Sequence, residues 1–396
     1  MEQYADRIQQ LQAEMQQASV DALFLCLAEN ILLATGYWLQ LGNLGFVVVP
    51  REGDGSLIIP EYEEDGARSK WKGNIKGFPA IRLDVKPAGQ AILENLRDIA
   101  ATSGVRGGRI GFEGSFQAIA PPVLDGEPNA VAAGTLSLIR EGFGSDDLVD
   151  FTSSLEAIRA VKTPEELEKI RITNEIACFA MEAFKEAAIP GRTEAEVAAA
   201  VSSAAISKGH GYRGTRVVRC YPTVWSGPET SIAWQYFCHR NRVIEPNDVV
   251  MLEMGTVADG FWSDHTRTVI AGRATQRQRD AFQAVRAASA AGFQAAKPGV
   301  TGGEVDAASR AACRRSGFEQ FPHHTGHGTG YRYHESRPQI VPGGEHVLAA
   351  GQVIVTEPGI YQEGLGGFRH EDNAVVTDAG AQVLATTTYG LDDEAV

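Results

Sequence analysis

Cysteine is scarce and unpatterned in this chain of 396 residues: Cys26, Cys178, Cys220, Cys238 and Cys313, never in a Cys-x-x-Cys pair. That excludes a disulfide framework or a thiolate zinc site and points to reduced thiols in a cytoplasmic protein. Cys238 and His239 are neighbours, and adjacent residues of a strand face opposite ways, so they do not pair as nucleophile and base. No apolar run approaches the roughly 20 residues that span a bilayer. The opening MEQYADRIQQLQAEMQQ lacks the basic and apolar regions of a signal peptide. A basic surplus is also missing. The formal net charge of −14 argues against nucleic acid and anionic membranes as partners.

What the chain does have is the composition of a soluble globular protein, with 43% hydrophobic and 22% charged residues. Its length is too great for one ordinary core, so two domains are expected, over 1–158 and 159–396. In the first third, an amphipathic pattern at 6–18 is followed by the apolar runs DALFLCL, LGFVVVP, GSLIIP and RIGFEG, with the helical stretch AILENLRDIAATSG between them. This alternation predicts a small α/β domain. Thr163-Pro164-Glu165-Glu166 is a helix start, with Thr as N-cap, Pro in the first turn and acids against the dipole. The second part repeats itself. AIPGRTEAEVAAAVSSAAISKG at 188–209 is echoed by AKPGVTGGEVDAASRAACRRSG at 296–317, each after a long helical pattern and before a strand-rich stretch. Two such halves predict a pseudo-twofold sheet with a site at the seam.

Five residues with metal-ligating chemistry fall in that second part. Glu253 and Asp264 lie eleven residues apart in MLEMGTVADGFWSDHTRT, His327 stands in GHGTG, Glu357 in TEPG and Glu371 in FRHED. NDVVMLEMG and FWSDHTRTVI read as strands joined by a turn from Gly255 to Gly260. A hairpin with strands about 5 Å apart lets Glu253 and Asp264 converge on one cation. Four carboxylates and one imidazole are too costly to gather in a dry place unless cations neutralise them. Two divalent ions cancel the charge, and a mixed O/N set suits Mn, Fe, Co or Zn. The glycines flanking His327 let the backbone approach a metal closely. Arg369, two residues before Glu371, is placed on the same strand face as a partner that orients carboxylates.

SDHTRT, GHGTG followed by HE, TEPGIY and RHED resemble, in order and spacing, the signature blocks of the pita-bread metallohydrolases. That family includes methionine aminopeptidase, Xaa-Pro aminopeptidase, prolidase and creatinase. The match covers roughly 160–396, and the N-terminal third resembles the creatinase-type leading domain. The resemblance implies an α/β (α+β) chain with a pita-bread catalytic domain, a homodimer, and a small peptide substrate. It further implies that Glu253 chelates one ion, Asp264 and Glu371 bridge two, His327 ligates, and Glu357 ligates and acts as general base. By the same resemblance His323 contacts substrate and His334 donates to the oxyanion, whereas His324 is a spare neighbour.

Two positions depart from that pattern. Relatives normally have Asp where this chain has Glu253. The extra methylene moves the carboxylate by about 1 Å or more, so the site must shift one ion, hold it through one oxygen, or abandon it. Relatives also carry a His-Tyr pair upstream of the first ligand, and the matching position is Tyr236, with His239 three residues on. Tyrosine donates one hydrogen bond but does not become cationic near neutrality. The expected activity is hydrolysis of Xaa-Pro dipeptides or short peptides by a metal-activated water. The alternatives are a creatinase- or ectoine-hydrolase-like enzyme acting on a small C–N bond, and a metal-dependent lyase on a small zwitterion.

Overall fold

In a computed structural model of the chain, residues 2–39, 44–80, 86–115, 133–233, 241–319, 321–387 and 391 are described. They divide into two compact units, the first ending at Arg159 and the second beginning at Ala160.

The first unit runs α1 (Glu2–Gln17), β1 (Ala22–Leu25), α2 (Ala28–Thr35), β2 (Phe46–Pro50), β3 (Ser56–Pro60), α3 (Glu64–Arg68), β4 (Asn74–Phe78), α4 (Ala88–Thr102), β5 (Ile110–Phe112), α5 (Ala133–Phe143), β6 (Leu148–Asp150) and α6 (Thr152–Ala160). The strands form one mixed sheet in the order β4-β3-β2-β1-β5-β6. Phe24, Val48, Ile58 and Ile110 from the sheet pack against Leu96, Ile99, Ile139 and Phe143 from α4 and α5. Fully burying one such side chain contributes about 1.5–3 kcal/mol. Helix α2 is buried along its whole length and has no side-chain N-cap of its own. Glu113 does that work from beyond β5, accepting from the Leu27 amide at 3.1 Å and from Asn30 Nδ2 at 3.0 Å. The helix ends on Gly36 at φ 68°, the left-handed conformation that glycine adopts without strain.

The second unit shows the internal repeat as structure. Its first half is α7 (Pro164–Ala187), α8 (Glu194–Gly209), β7 (Val218–Ser226), β8 (Val249–Ala258) and β9 (Phe261–Ile270). The second half is α9 (Gln276–Ala295), α10 (Gly302–Arg315), β10 (Gly326–Gly328), β11 (Glu335–Ile340), β12 (Val353–Thr356), β13 (Gly359–Gln362), β14 (Gly366–Arg369), β15 (Asp372–Thr377) and β16 (Gly380–Val383). Before α8 and α10 the chain makes the same Pro-Gly turn, with Gly191 at φ 88° and Gly299 at φ 87°. Thr193 and Thr301 then close matching capping boxes with Glu196 and Glu304. Each threonine also forms a single antiparallel bridge, to Val243 and Val347 respectively.

Each helix pair covers one sheet. Val197 and Val201 of α8 and Ile176 and Phe184 of α7 pack on Val250, Leu252 and Met254 of β8. Phe293 and Val305 of α9 and α10 pack on Ile340, Ile354 and Ala374 of the five-stranded sheet β11-β10-β12-β15-β16. The three-stranded sheet β7-β8-β9 meets this second sheet through one bridge, Thr266 to Glu371. Asn373 reinforces the seam by accepting from the Asp264 amide at 3.1 Å and donating to the Asp264 carbonyl at 2.6 Å. Arg267, fully buried, donates to the Glu371 carbonyl at 2.6 Å and pairs with Asp372.

Two expectations need correction. The β8–β9 turn is not Gly255–Gly260: strand β8 continues to Ala258 and only Asp259 and Gly260 turn. Both have positive φ (46° and 91°), the two-residue hairpin loop that matches strand twist. Arg369 and Glu371 do not share a strand either, because β14 ends at Arg369 and β15 begins at Asp372.

Replacing either Thr193 or Thr301 by Ala removes a cap and lowers stability by about 1 kcal/mol, whereas Thr→Ser keeps most of it. Urea unfolding monitored by circular dichroism reads the difference, and equal midpoints for Ala and Ser variants contradict the capping role.

Candidate metal centre

Strand β8 turns Val250, Leu252 and Met254 to the helices, so Glu253 and Gly255 point the other way. In the hairpin register Glu253 faces Thr266 and Gly255 faces Asp264. The two acids are therefore diagonal neighbours on one face, with no side chain opposite Asp264. From the second sheet come His327 in β10, Glu357 just past the end of β12, and Glu371 at the bridge to Thr266. Glu253, Asp264, His327, Glu357, Glu371, His334 and Arg369 are all buried. Ligand atoms fall into three overlapping groups, each mutually within 4.8 Å: Glu253, Asp264 and Glu371; Asp264, His327 and His334; His324, His327 and Glu357.

The spacings are those of a coordination shell. His327 Nε2 lies 3.5 Å from both Asp264 Oδ2 and Glu357 Oε1, and His334 Nε2 lies 3.6 Å from Asp264 Oδ2. Two atoms bound to one tetrahedral ion at 2.0–2.1 Å are about 3.4 Å apart. Both Asp264 oxygens, His327 Nε2 and Glu371 Oε1 are buried without a hydrogen bond. His327 Nδ1 lies 2.9 Å from the Gly328 carbonyl, so in the neutral ring that nitrogen carries the proton and Nε2 is left as a donor to a metal. Orphaned carboxylate oxygens and an aligned imidazole fit divalent-metal binding.

The titration behaviour agrees. Burial pushes Asp264 up to about 6 against the pull of His327. Burial and the charges of Asp264 and Glu357 drive Glu371 well above the carboxylate range. Glu357 goes the other way, because His324 and His327 overcome its burial and hold it well below. Burial would lower His327, but Asp264 and Glu357 outweigh it and raise the ring to about 10. Burial and the neighbouring His327 keep His334 neutral, well below the usual histidine value. A proton thus stands between carboxylates where a cation fits better.

Glu253 is the exception among the acids. Tyr333 donates to its Oε1 at 2.8 Å, Thr266 lies 2.9 Å from its Oε2, and Arg369 forms an ion pair with it. Arg369 Nε also donates to Thr266 Oγ1 at 3.1 Å. Thr266 lies 2.8 Å from Glu371 Oε2 as well, and its one proton serves only one of the two acids. Arg369 is thus a partner of Glu253 across the seam.

His323 lies one step outside the cluster, with Nε2 2.9 Å from Tyr361 Oη and Nδ1 2.8 Å from the His324 carbonyl. His324, set aside as a spare neighbour, is in the cluster, with Nε2 2.8 Å from Glu357 Oε1. Tyr236 and His239 lie outside the described residues. The glycines beside His327 also have another cause than metal approach. A Cβ at Gly326 would sit 2.0 Å from the Val355 carbonyl oxygen, and one at Gly328 2.1 Å from that of Arg337. Tyr333, Tyr361 and Thr266 were missed by sequence reasoning. Thr266 alone had a signal, two residues after Asp264 and hence on its face.

With this geometry in hand, comparison with known proteins identifies the family. Residues 168–378 match the model of metallopeptidase family M24, and residues 7–161 match the creatinase/prolidase N-terminal domain. The chain belongs to metallopeptidase family M24. It is 29% identical over 389 residues to the Xaa-Pro dipeptidase of Lactobacillus helveticus, covering 97% of this chain and 98% of that protein. Among solved structures, the Xaa-Pro dipeptidase from Bacillus anthracis matches with a TM-score of 0.80 at 25% identity, covering 98% of this chain and 99% of that one. The prolidase from Pyrococcus furiosus matches with a TM-score of 0.76 at 27% identity, over 96% of this chain and 100% of that one. The two-domain α/β architecture and the pita-bread second domain expected from sequence are thus borne out.

A divalent ion needs the neutral form of His327, which carries a proton up to about pH 10 without one. Ion affinity therefore falls as pH falls, by at least about tenfold per unit between pH 8 and 6 for one displaced proton. Calorimetric titration at three pH values checks this, and a pH-independent affinity contradicts the assignment of His327.

Proposed function

We propose that this chain hydrolyses the bond before proline in Xaa-Pro dipeptides or short peptides, with two divalent ions held by Glu253, Asp264, His327, Glu357 and Glu371. The observation that carries the reading is the convergence of these five side chains on one seam. They do so in a chain similar over nearly its whole length to a protein named Xaa-Pro dipeptidase. Ions bound there polarise the scissile carbonyl and lower the pKa of a water.

The chain's own groups supply the rest. Asp264, with both oxygens unsatisfied, and Glu371, with one, would share in holding the ions. Glu357, held ionised by His324 and His327, takes a proton from the attacking water and passes it to the leaving nitrogen. Neutral His334 donates to the developing oxyanion, helped by Tyr236 or His239 from the upstream segment. His323, steadied by Tyr361, contacts substrate. Arg369 holds Glu253 in place.

A creatinase- or ectoine-hydrolase-like reaction with Glu253 acting directly is disfavoured, because Tyr333, Thr266 and Arg369 already engage both of its oxygens. The proposal includes a domain boundary between 158 and 159, a homodimer, and a cytoplasmic setting consistent with four unpaired cysteines among the described residues. Among those residues no helix is long and apolar enough to cross a membrane.

The test is a substrate screen of the purified protein with Mn, Co or Zn, using Xaa-Pro dipeptides, longer Xaa-Pro peptides, creatine and ectoine. Cleavage of Xaa-Pro dipeptides is expected, and failure on every Xaa-Pro substrate ends the assignment. His334→Ala lowers kcat by roughly 10²–10³ with bound metal nearly unchanged. Glu357→Gln abolishes turnover. A His334→Ala enzyme at full kcat removes that residue from the oxyanion role.

A further inference from the structure

We infer that His324 is an additional metal ligand, which gives the ion position beside His327 and Glu357 two imidazoles and a preference for zinc or cobalt over manganese. The inference deepens the reading of the seam as a metal centre and rests on it.

Three observations carry it. The ligand atoms of His324, His327 and Glu357 all lie within 4.8 Å of one another, the bound that the other two groups also meet. His324 Nε2 is 2.8 Å from Glu357 Oε1 and so already points at the oxygen that His327 approaches from the other side at 3.5 Å. The side chain of His324 is 26% exposed, whereas those of His327 and Glu357 are 0% and 8%. The ring therefore closes the group from its open side, where an ion would otherwise take water.

The loop that carries His324 is built to hold it still. Arg310 on α10 donates to the Phe321 carbonyl at 2.7 Å and to the His323 carbonyl at 2.6 Å. Its guanidinium is fixed by Asp306 at 2.9 Å, and Thr325 donates to the same carboxylate at 2.6 Å. Both sides of His324 are therefore pinned to one helix by a buried ion pair. An ordinary surface histidine carries no such framework. His323 differs, since its ring nitrogens are directed to Tyr361 and to the His324 carbonyl.

The chemistry sets the consequence. Imidazole suits zinc, cobalt and nickel, and carboxylate and water suit manganese and magnesium. A position with two imidazoles and shared carboxylates therefore leans to the first group. At the other position Glu253 enters already paired with Arg369 and Tyr333, so among the described residues an ion there meets the oxygen donors of Glu253, Asp264 and Glu371 and a competing cation. Two ions bound by one protein would differ in kind as well as in affinity.

The experiment uses the full-length protein, freed of ions by chelation, with His324→Ala and His324→Gln alongside. Zinc and manganese are supplied together and bound metal is measured by elemental analysis, and Co(II) loading is followed by its visible absorption. The wild type is expected to retain zinc, and both variants to lose roughly 10–100-fold of the zinc-over-manganese preference with a changed cobalt spectrum. Melting of the ion-free proteins checks that the variants are folded. Unchanged preference and spectrum in the folded variants overturn the inference. One ion at saturation in the wild type, with a preference that still depends on His324, overturns the two-ion reading and leaves this inference standing.

Discussion

Everything in the second unit is arranged around one electrostatic demand. Four carboxylates are gathered where almost no water reaches, and the two sheets meet there at the Thr266–Glu371 bridge. Repulsion of that kind, in a place with little water to screen it, is costly. The protein answers with a His327 ring raised to about 10, a Glu371 carboxyl driven well above the carboxylate range, and fixed donors from Thr266, Tyr333 and Arg369. Each is a weaker answer than a dication. The polypeptide thus gathers donors that suit an ion, and its own groups already meet part of their charge.

The substitution of Glu for Asp at position 253 looks different in this light. A longer side chain reaches across the seam to Arg369 and Tyr333, and the pair removes one unit of charge from the cluster. Three acids then remain to be neutralised by metal. The departure is compensated inside the same chain, on the strand that also leads to Glu371.

The repeat was legible because its markers are local. A Pro-Gly turn, a threonine cap and a glutamate three residues on act within one turn of chain, and they act identically at 193 and 301. The candidate ligands stood out partly by context, as Glu253 does beside an apolar run, and partly by the likeness of their blocks to family motifs, as Glu357 does in TEPG. What escaped depended on distance. Tyr333 meets Glu253 across 80 residues of sequence, and nothing in YRYHES distinguishes it from Tyr331, which bonds to Glu166 instead. His324 looked redundant because its neighbours in sequence seemed better placed. Arg310 pins the loop's backbone from below, and His323 turns its ring to Tyr361 while His324 turns to Glu357. Strand β8 outran its expected end because the turn needs only two residues of positive φ, and Gly255 proved to be space opposite Asp264.

The glycines on either side of His327 carry a different implication. Each is dictated by a carbonyl of an adjacent strand, Val355 on one side and Arg337 on the other, closer than any side chain tolerates. Their presence reports how three strands interlock, and it says nothing about whether an ion is held. A descendant of this chain that lost its metal and its chemistry would still have to keep both glycines to fold. The glycines of the Gly-His-Gly triplet are then a fossil of architecture, and it is the imidazole between them that faces the buried carboxylates.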